Sequence, residues 1–113
     1  MEIIEKPWGY EKWIEVNDNY VVKELFMKQG HSCSLQYHEM KRETFYVLSG
    51  KLNFFVGKDK NALSKFTVES GWYYTVEPGI IHKMEAISDS LYLESSTNHL
   101  NDVIRIKDNY GRV

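Results

Sequence analysis

The stretch SLQYHEMKRETFYVLSG (residues 34–50) contains two runs of alternating residues joined by a short polar link. In the first run Gln36 and His38 lie two positions apart, so both project from the same face of an extended strand. Glu43 follows the link and starts a second run, which ends at Gly50 with a residue typical of a turn. The stretch therefore predicts two adjacent strands whose polar side chains meet near their connection.

The same pattern of short alternating segments separated by turn residues continues through the rest of the chain. Short segments rich in Val, Phe, Tyr and Trp recur between Gly, Asn, Asp and Pro residues, which predicts an all-β sandwich or barrel. The tail, residues 98–112, is compatible with one short helix or with a strand packed on the outside. The predicted strands are residues 11–16, 20–27, 32–38, 44–48, 51–56, 63–68, 72–76, 82–86 and 91–95.

Length and composition limit the classes of function. A chain of 113 residues is expected to form a single domain over residues 1–113. Acidic and basic residues are mixed, with a net charge of -2, which argues against nucleic acid or an anionic membrane as partner. No apolar run is long enough to span a membrane, the start has no secretory signal pattern, and Cys33 is the single cysteine. These features predict a cytoplasmic protein that binds small ligands.

A fourth polar residue can join the first three. His82 follows Pro78-Gly79 and two isoleucines, so a turn delivers it to the start of another strand. Gln36, His38, Glu43 and His82 together offer nitrogen and oxygen ligands that suit one divalent ion: zinc, manganese, iron, cobalt or nickel. The alternative is a hydrogen-bonded His–Glu pair with a purely structural role.

The spacing of these residues resembles the two sequence motifs of the cupin superfamily. Gly30 precedes the first three residues and Gly50 follows them, and Gly71 and Pro78-Gly79 precede His82. Most cupins have His where this chain has Gln36. The resemblance implies a cupin fold, a double-stranded β-helix or jelly-roll barrel.

A closer resemblance is to the type II mannose-6-phosphate isomerase domain, which usually ends bifunctional enzymes that also carry a mannose-1-phosphate guanylyltransferase. Four pieces are similar in order: EKPWGYEKW (5–13), SLQYHEMKRETFYVLSG (34–50), VEPGIIHKME (76–85) and VIRIKDNYGR (103–112). The resemblance implies that Gln36, His38, Glu43 and His82 are metal ligands and that Arg105 is a basic residue near the site. Lys41 stands where the family has Arg, and Ala86 where it has Asn.

The function implied is interconversion of a phosphorylated aldose and ketose, mannose 6-phosphate and fructose 6-phosphate. The metal would act as a Lewis acid while a base moves a proton between C1 and C2. The candidate catalytic residues are Arg105, Glu94 and His31. The candidate phosphate- or substrate-binding residues are Lys6, Lys83 and Lys41, because ammonium groups bind phosphate oxygens strongly.

Two other functions fit the same pattern. A non-catalytic cupin that binds a sugar or sugar phosphate would keep the fold without turnover, and the departures at Lys41 and Ala86 favour it. A metal-dependent cupin oxygenase is the other, since a fold does not determine a function. We also expect a homodimer, in which the aromatic segment 5–13 exchanges or packs across a two-fold axis.

Overall fold

The computed structural model describes residues 2–113, which form eleven strands and no helix. The strands are β1 (Glu2–Lys6), β2 (Gly9–Val16), β3 (Val21–Met27), β4 (Leu35–Tyr37), β5 (Glu43–Ser49), β6 (Lys51–Gly57), β7 (Ser64–Glu69), β8 (Tyr73–Val76), β9 (Ile81–Ala86), β10 (Ser90–Ser96) and β11 (Ile104–Lys107). Because none of these elements is helical, no helix within residues 2–113 is long and apolar enough to cross a membrane.

The strands build two antiparallel sheets that face each other. One sheet has six strands in the order β1-β2-β3-β10-β5-β8, and the other has five in the order β11-β4-β9-β6-β7. Many neighbours in each sheet are distant in sequence, as in the pairing of β10 with β3 and β5. This arrangement confirms the predicted all-β jelly roll.

The alternation of more buried and less buried side chains explains why these segments form strands. Along β3 the residues Val21, Lys23, Leu25 and Met27 are buried while those between them are half-buried. The inward residues of both sheets form one core, in which each fully buried aliphatic or aromatic side chain contributes about 1.5–3 kcal/mol. The core residues are Trp8, Leu25, Met27, Phe45, Val47, Leu52, Phe54, Val56, Val68, Val76, Met84, Ala86 and Tyr92.

Two local predictions need correction, and of the two alternatives for the tail the strand is the one observed. The first strand, β1, was not predicted, and it pairs with β2 as a hairpin at the edge of the six-stranded sheet. The predicted strand 32–38 is shorter, because regular pairing covers only β4 while Ser32 makes an isolated bridge to Glu85. The tail contains the strand β11, which pairs with β4 and sets Arg105 opposite Gln36.

The turn between β5 and β6 depends on Gly50. Its φ of +88° lies in the left-handed region, and a Cβ there would lie 2.3 Å from the Ser90 Oγ atom and 2.5 Å from the Asp89 carbonyl oxygen. A side chain at this position would therefore push the turn away from the start of β10. The turn brings the end of β5 against the segment that begins β10.

Candidate metal centre

Three buried side chains from different strands converge between the sheets. His38 follows β4, Glu43 begins β5, and His82 lies in β9. The His82 Nε2 atom lies 2.9 Å from Glu43 Oε1, and the His38 Nε2 atom lies 3.3 Å from the same oxygen. These three residues are at most 3% exposed. The potential ligand atoms all lie within 4.8 Å of one another.

The facing atoms of this cluster lack hydrogen bonds. His38 Nε2, His82 Nε2 and both Glu43 carboxylate oxygens are buried and have no partner that meets hydrogen-bond geometry, although Glu43 Oε2 lies 2.9 Å from the Lys41 ammonium nitrogen. Buried polar atoms without partners are costly, so such a group in one place needs an explanation. Ligands about 2.0–2.2 Å from a shared ion lie roughly 3–4 Å apart, which matches these separations. The residues therefore fit a divalent ion better than a hydrogen-bonded structural pair.

The outer nitrogens of both imidazoles are anchored to the backbone. His38 Nδ1 contacts the carbonyl oxygen of Asp102, and His82 Nδ1 lies 3.0 Å from the carbonyl oxygen of Ile80. A carbonyl only accepts hydrogen bonds, so each Nδ1 carries a proton, and in the neutral ring each Nε2 turns its lone pair toward the centre of the cluster. This is the orientation that a metal-binding histidine requires.

Gln36 can supply a further oxygen. It lies directly opposite His82 in the pairing of β4 with β9, so the two side chains leave the same face of the sheet. The Ser34 hydroxyl donates a hydrogen bond to Gln36 Oε1 at 3.2 Å, which orients the amide. A carbonyl oxygen has two lone pairs, so Gln36 Oε1 keeps one available.

Lys41 links the cluster to Glu94. Its Nζ atom lies 2.9 Å from Glu43 Oε2 and 3.0 Å from Glu94 Oε2. Burial opposes the ammonium form, but the Glu94 and Glu43 carboxylates outweigh it and raise the pKa of Lys41. Burial likewise opposes the charged form of Glu43, yet His38, His82 and Lys41 hold the pKa of that carboxyl well below its usual range. Glu43 is therefore an anion at neutral pH.

A cavity of about 350 Å³ opens beside the cluster. Gln36, His38, Lys41, Glu94 and Arg105 all line it. The Arg105 Nε atom is buried without a hydrogen-bond partner, and no carboxylate of residues 2–113 lies within ion-pair distance of its guanidinium group. Arg105 therefore offers an unpaired cation to a ligand in the cavity.

The cavity is also lined by Lys23 and Glu11, which the sequence analysis had not identified, and by Lys6, which had been predicted as a phosphate- or substrate-binding residue. Lys23 is only 6% exposed, and its Nζ atom lies 3.3 Å from Glu11 Oε1 and 5.0 Å from the centre of the Trp13 ring. Lys6 lies 3.8 Å from Glu11 Oε2 and lines the same cavity. The alternation of β3 indicated that Lys23 shares a face with Leu25, and a lysine on a buried face is the signal that could have identified it.

Two predicted residues do not reach this cavity. His31 Nδ1 lies 2.8 Å from the hydroxyl of Tyr110, and the two rings stack at 6.0 Å. His31 hydrogen-bonds through its backbone to Ala86, at the opposite end of β9 from His82. Lys83 follows His82 in β9 and so points to the outer face of the sheet, where it lies over the Phe55 ring. Neither residue is positioned to act on a ligand in the cavity.

Asp102 is a further residue that sequence reasoning missed. Its carboxylate accepts hydrogen bonds from the backbone N–H groups of Glu39, Met40 and Lys41, at 3.0, 2.6 and 2.8 Å. These bonds, beginning with that from Glu39, lower the pKa of Asp102. Asp102 therefore holds the link between His38 and Glu43 in place, although it lies about 60 residues away in the chain. A local sequence pattern cannot predict a contact between residues so far apart.

Comparison with known proteins supports a family assignment. The family model described as "Cupin domain" matches residues 23–97. The mannose-1-phosphate guanylyltransferase of Escherichia coli K12 is 30% identical over 96% of this chain and 23% of its own length. The xanthan biosynthesis protein XanB of Xanthomonas campestris strain ATCC 33913 is 28% identical over 95% of this chain and 23% of its own length. This chain thus spans less than a quarter of these relatives.

Solved structures share the fold at low sequence identity. KdgF from Halomonas sp. has a TM-score of 0.75 at 15% identity, covering 86% of this chain and 87% of its own. An RmlC-like cupin from Shewanella frigidimarina has a TM-score of 0.75 at 14% identity, covering 88% and 86%. Oxalate decarboxylase from Bacillus subtilis has a TM-score of 0.80 at 17% identity, covering 93% and 30%.

Proposed function

This chain belongs to the cupin domain family, and from that premise we propose that it is a metal-dependent aldose–ketose isomerase of a sugar phosphate. The pair of substrates is mannose 6-phosphate and fructose 6-phosphate, as the resemblance to type II mannose-6-phosphate isomerase domains implies. The similarity to a mannose-1-phosphate guanylyltransferase over nearly the whole of this chain supports a substrate from mannose chemistry.

One observation carries the proposal: the cavity beside the cluster of unpartnered ligand atoms is lined by a carboxylate and by an unpaired guanidinium group. The cluster supplies His38, Glu43 and His82, and Glu94 and Arg105 lie on the walls. The cavity volume of about 350 Å³ is within the usual range for small-molecule sites. An isomerase of this class needs an electrophile, a base and an anion-binding group around one substrate.

The metal ligands are Gln36, His38, Glu43 and His82. A divalent ion held there would supply Lewis acidity that stabilises negative charge on the substrate oxygens. Glu43 keeps its negative charge through its contacts with both histidines and with Lys41. Asp102 holds the intervening link in place.

Glu94 is the base. Its carboxylate takes the proton from C2 of the aldose and returns it to C1, while the O2 hydroxyl proton moves to O1, so that the ketose forms with no net change in atoms. Lys41 binds Glu94 Oε2, which leaves Oε1 as the proton-accepting atom. Arg105 and Lys6 bind the phosphate from the cavity wall.

The test is turnover by metal-reconstituted protein. Mannose 6-phosphate is supplied with each of zinc, manganese, iron, cobalt and nickel, and fructose 6-phosphate is measured by an enzyme-coupled assay. Glu94→Gln should lower kcat by at least about a hundredfold while metal content is retained. Lys51→Gln, a change on an exposed lysine, is the matched control. Absence of turnover of this and related sugar phosphates with every metal contradicts the proposal.

A second candidate is a sugar-phosphate-binding cupin without turnover. The contact between Lys41 Nζ and Glu94 Oε2 favours it, because a carboxylate engaged by an ammonium group is a weaker base. Calorimetry distinguishes the two functions. Binding of mannose 6-phosphate that Arg105→Gln weakens, without formation of product, selects the binding protein.

A further inference from the structure

A second recess lies on the outer face of the five-stranded sheet. Its volume is about 490 Å³, which is within the usual range for small-molecule sites. Strands β4, β6, β9 and β11 and the β6–β7 loop all contribute to it. We call it the outer groove, and it is lined by Cys33, Leu35, Phe55, Lys60, Asn61, Leu63, Lys83, Ile106, Lys107 and Asn109.

The charge of the outer groove is entirely positive. Lys60, Lys83 and Lys107 come from three separate elements, and no Asp or Glu lines the recess. None of these lysines has a carboxylate of residues 2–113 within 4.0 Å. Burial raises the pKa of the Cys33 thiol to about 11, so it adds no negative charge at pH 7. Three unpaired cations in a chain of net charge -2 indicate an anionic ligand.

Acids close to the groove lysines have other hydrogen-bond or ion-pair partners. Asp59 precedes Lys60 and accepts a hydrogen bond from the backbone N–H of Asn61 at 2.9 Å. Glu85 leaves the same face of β9 as Lys83, and its carboxylate accepts a hydrogen bond from Asn53 at 3.2 Å. Asp108 follows Lys107, and Arg112 binds it at 2.8 Å. Among the described residues, none of these carboxylates forms an ion pair with a groove lysine.

The floor of the outer groove is apolar and includes an aromatic ring. Phe55 is half-buried and lines the recess together with the aliphatic side chains of Leu35, Leu63 and Ile106. The Lys83 Nζ atom lies 4.7 Å from the centre of the Phe55 ring. A ligand with both a flat apolar part and several negative charges matches this combination, since the ring can pack on Phe55 while the lysines bind the anion.

We propose that the outer groove binds a nucleoside di- or triphosphate. The base packs on Phe55 and the aliphatic floor, and the phosphate chain lies along Lys83, Lys107 and Lys60. The side-chain amide of Asn61 offers both a donor and an acceptor to the edge of the base. An inorganic polyphosphate can form ion pairs with the lysines but has no ring to pack on Phe55. An uncharged nucleoside can pack on the apolar floor but has no charge for the lysines to bind.

The outer groove is separate from the cavity beside the metal centre. Neighbouring residues of a strand point to opposite faces, so Gln36 and His82 face inward while Leu35 and Lys83 face the groove. One sheet therefore divides the two sites. A nucleotide in the groove does not contact Arg105 or Glu94, and its binding does not depend on the proposed isomerase activity.

The experiment is a calorimetric titration of the metal-loaded protein with ATP, ADP, tripolyphosphate and adenosine. ATP should bind with a Kd of about 10 μM to 1 mM. Lys83→Gln combined with Lys107→Gln should weaken ATP and tripolyphosphate binding at least about tenfold. Phe55→Leu should weaken ATP binding about fivefold while tripolyphosphate binding is unchanged. Circular dichroism checks that each variant is folded.

Two controls locate the bound nucleotide. Lys28→Gln changes an exposed lysine outside both sites and should leave ATP binding unchanged. Arg105→Gln removes the cation of the inner cavity and should also leave it unchanged. The proposal is overturned if ATP shows no binding at about 5 mM, or if Arg105→Gln abolishes binding that the groove variants retain. If Phe55→Leu affects tripolyphosphate as much as ATP, the nucleotide assignment is wrong.

Discussion

At the scale of single residues, His82 is central to the metal centre. Its Nε2 atom lies 2.9 Å from Glu43 Oε1, and its side chain is almost completely buried. We predict that His82→Ala loses at least about 10–100-fold in metal affinity, because one ligand disappears and the Glu43 contact is lost. Elemental analysis of the purified variant measures the metal content.

A matched histidine provides the control for this prediction. His99 lies in the loop before β11, where its Nδ1 atom is 2.8 Å from the hydroxyl oxygen of Thr97. His99→Ala should retain the metal of the unmodified protein. Equal metal content in the two variants would show that His82 is not a ligand.

The pKa of His38 predicts how metal binding depends on pH. Burial disfavours its imidazolium form, but Glu43 outweighs this and raises the pKa above the ordinary value of 6.5. A metal binds only the neutral ring, so a proton must leave His38. Metal affinity should therefore rise by up to about tenfold per pH unit as pH increases through the pKa of His38, and then level off. Competition with a chelating dye measures this.

Stability of the metal-free protein should change in the opposite direction. A raised folded-state pKa stabilises the fold below the unfolded-state pKa of about 6.5, and this stabilisation is lost as pH rises through the folded-state pKa of His38. Chemical denaturation of protein treated with a chelator tests the sign. Metal affinity that is independent of pH between about 5.5 and 8 would contradict the coupling of His38 to the ion.

Residue-level prediction succeeded where local spacing determines geometry. Gln36 and His38 share a face of the sheet because they are two positions apart. The turn at Pro78-Gly79 places His82 near the start of a strand, with its side chain between the two sheets. The sequence could not show which ends of strands meet, so His31 was grouped with residues at the opposite end of β9. Lys83 was assigned by charge alone, although its position next to His82 already implied the opposite face.

At the scale of elements, the β5–β6 turn and the turn before β8 give a matched pair of glycines. Gly50 and Gly71 both have positive φ, at +88° and +93°, but of the two only Gly50 has atoms within 4 Å of the point where a Cβ would lie. Gly71→Ala should cost about 1 kcal/mol from backbone strain. Gly50→Ala should cost about 1–3 kcal/mol more, because its methyl group meets Ser90 and Asp89. Urea denaturation measures both values, and equal losses would contradict the steric argument.

The positions of strands could be predicted where apolar and polar residues alternate in the sequence. They could not be predicted in this way for β1 and β11, which lie at the edges of the two sheets. The segments that became β3, β9 and β10 alternate cleanly, and their predicted bounds differ from the observed ones by a residue or so. β1 escaped prediction because Glu2–Lys6 contains adjacent isoleucines and has a partner on one side only. The tail lacked a clear period, and pairing with β4 rather than local preference makes it a strand.

At the scale of the whole molecule, the outer face of the six-stranded sheet is rich in exposed aromatic residues. Tyr46 and Tyr73 lie opposite each other in the β5–β8 pair and are 44% and 72% exposed, and Leu93 is their neighbour on β10. We predict that a homodimer forms through this face. A stable interface needs about 800 Å² from each partner, and the molecule measures 35 × 28 × 28 Å.

Light scattering after size-exclusion chromatography tests the dimer. Tyr46→Lys combined with Tyr73→Lys should give a monomer, since like charges would then face each other across the two-fold axis. Phe66→Lys alters an aromatic residue of similar exposure on the other sheet and should leave the dimer intact. A monomeric unmodified protein at about 100 μM would exclude this interface.

The ring of Trp13 beside the Lys23 ammonium group gives the cavity its own optical reporter. Indole emission is sensitive to nearby charge and water, and Trp13 lines the cavity while Trp72 packs on Phe54 and Tyr74. With the other two tryptophans changed to phenylalanine, the fluorescence of this protein becomes a direct signal of cavity occupancy. Entry and departure of unlabelled sugars could then be timed in a stopped-flow instrument.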